Sequence, residues 1–202
     1  SQDIVTIEFL GYGFKNTALI SFVTAMAFVV VAFNSPLLSG IADYIGNKKR
    51  FMKIFVYTGS ISCVGLYFFE LNSIYIGLFF YFFALIGFWG SLVFYNSYLP
   101  DIAHPDQLDF ASARGFTMGY IGSILLLILN LSMVLQPDWF GITGTPSQSS
   151  IKAMKFSFIT VGVWWALFSQ YAFYHLPKGN SEGKVTKDIF WNGFLEIGRA
   201  HV

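Results

Sequence analysis

Long runs without a single Asp, Glu, Lys or Arg alternate with short polar clusters along the chain. The uncharged runs are Ala18–Ser39, Ile54–Phe69, Leu71–Pro100, Gly115–Pro137 and Phe156–Pro177. A helix needs about 20 mostly apolar residues to cross the hydrocarbon of a bilayer. Ile54–Phe69 is the one run that falls short, and Phe51 and Met52 extend it while Lys53 snorkels to the interface. We label the five runs spans A to E. They predict an all-α integral membrane fold, with 18–177 as a five-span bundle, 1–17 as an outer loop and 178–195 as a cytosolic linker.

Composition sharpens this picture. Only 11% of the 202 residues are charged, about half the share of a soluble domain, so there is too little charge to cover 24 Phe and 11 Tyr in water. The net charge of +1 says nothing about nucleic acid, but Gly-rich apolar spans with no basic stripe argue against that partner. Membrane lipid and a small-molecule solute are the expected partners instead. Cys63 lies inside span B and reads as a small packing residue. The terminal stretch Glu196-Ile197-Gly198-Arg199-Ala200-His201-Val202 resembles a translated sequencing adapter, so 196–202 is read as an artefact tail; a real cytosolic linker is the alternative.

The basic residues orient the spans. Lys48, Lys49, Arg50, Lys53, Arg114, Lys178, Lys184 and Lys187 fall on one side, against Lys15, Lys152 and Lys155 on the other. Basic residues concentrate in cytoplasmic loops. The A–B loop, the C–D loop and the segment after span E are therefore expected in the cytosol. Residues 1–17, the turn at Glu70–Ser73 and Asp138–Ser150 are expected outside, with Thr143-Gly144-Thr145-Pro146-Ser147 as a turn-rich loop. His104-Pro105-Asp106 reads as a helix start leading into span D.

The A–B loop carries the most specific pattern. It reads Gly40-Ile41-Ala42-Asp43-Tyr44-Ile45-Gly46-Asn47-Lys48-Lys49-Arg50. Gly40 and Asp43 are three apart and share a helix face, and Gly40 lets a neighbouring helix approach closely. Asp43 at the membrane edge suits a cation or the N-terminal dipole of another helix. Gly46 permits the reversal into span B. The order of these residues resembles the signature loop of the major facilitator superfamily. Two positions depart from it: Tyr44 and Asn47 stand where that family usually has basic residues, which weakens the charge network of the loop.

A narrower likeness covers nearly the whole chain. Phe14-Lys15-Asn16-Thr17-Ala18, Ser35-Pro36-Leu37-Leu38-Ser39-Gly40, Tyr95-Asn96-Ser97-Tyr98-Leu99-Pro100-Asp101-Ile102, Ser112-Ala113-Arg114-Gly115-Phe116 and Gly119-Tyr120-Ile121-Gly122 resemble the vacuole effluxer-like family and its bacterial relatives. The resemblance implies a partial major facilitator bundle, helices two to six of the N-terminal half. The first helix and the C-terminal half of the same protein would then be partners absent from this chain. It also implies a secondary transporter, with amino acids as one substrate class, in a bacterial inner membrane. Sugar or drug carriers and a non-transporting membrane scaffold are the alternatives. Faces left without a partner would be the one bearing Gly40 and Asp43 and the glycine stripe Gly115, Gly119 and Gly122 of span D.

Candidate pathway or gating residues are Asn96, Arg114, Gly115, Gly119 and Tyr120. Asn96 is an amide at a helix end crowded by Tyr95, Tyr98 and Pro100; bonding between helices is its structural alternative, as it is for Asn34, Asn130 and Gln170. Arg114 is either a gating partner for Asp101, Asp106 or Asp109, or a positive-inside anchor. Trp89, Trp164 and Trp165 lie too deep to be interface anchors and are expected to pack helices. No metal, cofactor or enzyme is expected: His104, Asp106 and Asp109 lack a further His or Cys, and only His175 lies near a span. No carboxylate lies deep in any span, so a proton or ion relay is expected elsewhere, if there is one.

Overall fold

A computed structural model describes residues 6–9, 12–45 and 47–177. A short antiparallel hairpin, β1 (Thr6–Phe9) and β2 (Tyr12–Lys15), opens the described chain, with Thr6 opposite Lys15 and Phe9 opposite Tyr12. It occupies part of the segment read as an outer loop. Helices follow: α1 (Asn16–Ile45), α2 (Lys48–Gly65), α3 (Ile74–Ser97), a single turn α4 (Leu99–Ile102), α5 (Leu108–Leu135) and α6 (Pro146–His175). Among the described residues, five helical segments are long and apolar enough to span a membrane, and they coincide with spans A to E. The fold is an all-α membrane bundle, with the hairpin outside the spans.

Helix ends follow local chemistry more than charge-free runs. Asn47 caps α2, its side-chain oxygen accepting from the Arg50 backbone N–H at 3.2 Å, so this helix starts before the uncharged run. Pro105 opens a 3-10 turn, Pro105–Gln107, that runs into α5, as His104-Pro105-Asp106 predicts. α6 begins well ahead of the uncharged run. Thr145 and Gln148 form a reciprocal capping box with Pro146 at the first helical position, so the outer loop expected through Ser150 is shorter than the charge pattern implied.

α2 and α3 form the centre of the bundle. α1 packs on α3, α6 on α2, and α5 chiefly on α6. Met52, Val56, Phe94, Tyr98 and Phe173 form a buried cluster at the end where α2 starts and α3 and α6 finish. Phe94 stacks between Phe51 and Phe55, with ring centroids 5.6 and 5.7 Å away. Leu19, Val23, Ile74 and Leu78 join α1 to α3 at the opposite end, and Met133, Ile142 and Ala153 join α5 to α6. Polar bonds also cross between helices: Thr24 with Tyr81 at 2.9 Å, Tyr57 to Gln170 at 3.0 Å and Thr160 to Asn130 at 2.6 Å. Asn130 and Gln170 thus bond between helices, whereas Asn34 donates to Val30 of its own helix.

The closest helix approaches fall at glycines. A Cβ on Gly87 of α3 would stand 2.5 Å from the Gly59 Cα of α2 and 2.7 Å from the Phe55 carbonyl oxygen. A Cβ on Gly162 of α6 would stand 2.6 Å from the Ser60 carbonyl oxygen. Trp165 covers Gly59, and Trp89 packs on Phe28 at 5.2 Å, as expected of deep tryptophans. α1 and α5 show many large apolar side chains to their surroundings.

Candidate functional site

The signature loop sits where α1 ends and α2 begins. Gly40 is buried within this chain. Asp43 lies in the last turn of α1, and Gly46 lies outside the described residues. Asn47, one of the two departures from the family pattern, gains a role of its own as the cap of α2.

The next two residues reach across to other helices. Lys48 Nζ donates to the Ser97 carbonyl at 3.3 Å and pairs with the Asp101 carboxylate at 3.2 Å. Lys49 Nζ donates to the Phe173 carbonyl at 2.9 Å and to the Leu176 carbonyl. These carbonyls belong to the ends of α3 and α6. The last carbonyls of a helix have no partner inside it and carry the negative end of its dipole. Lysine ammoniums satisfy both needs at once. The start of α2 therefore ties down the ends of α3 and α6, a role that the sequence pattern did not reveal because it depends on which helix ends lie side by side. Its only sequence signal was the pair of lysines itself.

Tyr98 lies beneath this network with 2% of its surface exposed. Its hydroxyl is buried and has no hydrogen-bond partner among the described residues.

The remaining candidates are less tightly held. Asn96 and Arg114 are exposed, and among the described residues no hydrogen bond or ion pair engages the Arg114 side chain. Asp101, read as a possible partner for Arg114, is bound to Lys48 instead. The Tyr95 hydroxyl of α3 sits against Gly115 of α5, which brings the ends of these helices together. Gly119 has nothing within 4 Å of where a Cβ would be, and Tyr120 is 69% exposed. Of the three glycines of the span D stripe, Gly115 is thus crowded by Tyr95, Gly122 has Trp164 at ordinary contact distance, and Gly119 is open. Lys178, Lys184, Lys187 and 196–202 lie outside the described residues.

At the opposite end, Lys155 of α6 donates to Glu70 at 2.8 Å, joining α6 to the turn between α2 and α3. That hydrogen bond, and then the lysine charge, hold the Glu70 carboxyl below its ordinary value. A depressed folded-state value means that the pair contributes above the ordinary carboxylate range and is lost as pH falls through the depressed value. Among the described residues no group of His, Cys, Asp and Glu is placed to hold a metal ion.

A bundle of apolar helices whose first connection follows the Gly-Asp-Gly-basic order and anchors neighbouring helix ends defines a membrane protein of the major facilitator type. The chain belongs to the vacuole effluxer Atg22-like family, whose model matches residues 2–111 and 108–201. It is 34% identical over 185 residues to an uncharacterized MFS-type transporter, YxiO, of Bacillus subtilis strain 168. That alignment covers 92% of this chain and 42% of the relative. No solved structure matches.

Proposed function

We propose that this chain forms part of a secondary transporter that moves small polar solutes, amino acids among them, by alternating access. Membership in the vacuole effluxer-like family carries this reading. The name of the Bacillus relative, an MFS-type transporter, supports it. In such carriers the solute site lies between repeats, and one half rocks against the other. The lysine ties at the start of α2 suit that motion, because they join α2, α3 and α6 into a unit able to move as one body. Substrate class is tested by uptake in a full-length carrier bearing this segment. Saturable uptake of labelled amino acids, unaffected by excess sugar, is expected. Uptake competed by sugars alone would move the protein to another branch of the superfamily.

We further propose that the protein lies in a bacterial plasma membrane with the α1–α2 loop in the cytosol. The support is the uneven distribution of Lys and Arg. A cysteine replacing Asn47 is expected to react with an impermeant thiol reagent only in opened membranes, and one replacing Gly144 in intact cells. The reverse pattern would invert the topology.

A further inference from the structure

α2 starts with a cluster of basic side chains, which find different kinds of partner within the bundle. Lys48 and Lys49 bind the ends of α3 and α6. Arg50 is exposed, and Lys53 lies with Nζ 5.3 Å from the centre of the Phe173 ring. Among the described residues neither pairs with a carboxylate. At a spacing of three they share one face of α2.

The same face continues along the helix as an apolar stripe turned outward. Ile54 is 53% exposed, Tyr57 39% and Ile61 66%, whereas Met52, Val56 and Gly59 on the opposite face are buried. Tyr57 is held in place by its hydrogen bond to Gln170 of α6. Cations at one end of a membrane-facing strip, with apolar side chains below them, match the two parts of an anionic phospholipid. The charged headgroup meets the cations, and the acyl chains meet the strip. A free anion would use the cations but have no use for the strip.

We infer that Arg50 and Lys53 hold the headgroup of an anionic phospholipid whose acyl chains lie along Ile54, Tyr57 and Ile61. This site does not rest on the transport reading. Juxtamembrane basic residues contribute about 1 kcal/mol each toward anionic lipid, so loss of both weakens binding about thirty-fold. The test titrates the detergent-solubilised 202-residue chain with phosphatidylglycerol or phosphatidylcholine and counts bound lipid by native mass spectrometry. Preferential binding of phosphatidylglycerol is expected, about thirty-fold weaker in Arg50→Gln/Lys53→Gln and retained in Arg50→Lys/Lys53→Arg. Lys152→Gln, at the far end, serves as a charge control and is expected to bind as the parent does. Equal binding of the two lipids by the parent chain overturns the inference, and that comparison stands even if the double variant does not fold. Unchanged phosphatidylglycerol binding in a folded double variant overturns it too. So does full displacement of the lipid by millimolar inorganic phosphate, which would mark a free-anion site.

Discussion

Gly87→Val is expected to destabilise the bundle by about 3 kcal/mol, the upper end for added atoms in a packed interior. The reason is the nature of the obstacle. A Cβ at Gly87 meets the backbone of Gly59 and the carbonyl of Phe55, and neither can turn aside as a flexible side chain would. Relief requires α2 and α3 to separate, which also breaks the stacking of Phe94 on Phe51 and Phe55. Membrane helices associate through close packing, so separation of the central pair leaves little to replace it. Gly119→Val is the control. Nothing stands within 4 Å of its Cβ position, and a change within about 0.5 kcal/mol is expected for the chain. Unfolding of detergent-solubilised variants by graded SDS, followed by circular dichroism, measures both. Equal loss in the two variants would show that α2 and α3 do not meet at Gly59 and Gly87.

Asp43→Asn is expected to lower transport by a full-length carrier about tenfold, whereas Asp106→Asn leaves it nearly unchanged. Each removes one carboxylate, and their helical positions differ. Asp43 lies in the last turn of α1, where the negative end of the helix's own dipole disfavours an anion. Keeping it there calls for a compensating partner, a cation or the N-terminus of another helix. If that partner is present in only one conformation, the carboxylate biases the equilibrium between conformations. Couplings of this kind are typically about 1–3 kcal/mol, which is about five- to 150-fold. Asp106 is exposed at the start of a helical segment, where a charge contributes at most about 1 kcal/mol. Uptake rates at matched expression compare the two variants. Equal rates would mean that Asp43 does not act as a conformational latch.

The spans were legible in the sequence because the bilayer imposes one rule over some twenty positions at a time. Helix ends were less so. The capping box of Thr145 and Gln148 was readable in Thr145-Pro146-Ser147-Gln148, but the turn-rich composition of that stretch pointed to a loop. The glycines show where sequence reasoning stops. Gly115, Gly119 and Gly122 attracted attention by their regular spacing, yet the close approaches to another helix's backbone fall at Gly59, Gly87 and Gly162. Spacing reports which residues share a face and says nothing of which face meets another helix. The same limit hid the work of Lys48 and Lys49. As basic residues after a span they mark topology, and only the placement of α3 and α6 shows which carbonyls they reach. Arg114 shows the same limit: Asp101 is near it in sequence, and in the structure Asp101 pairs with Lys48.

We propose that this chain moves as one part of an alternating-access carrier. Counterflow in proteoliposomes tests it most directly, because exchange of labelled solute against unlabelled solute inside requires a site that faces each side in turn. A full-length carrier bearing this segment is expected to show saturable counterflow of its substrate, abolished in Gly87→Val, while residues 1–202 alone insert and show none. Saturable, substrate-specific flux from residues 1–202 alone would contradict the account, because the site would then not lie between this bundle and a second one.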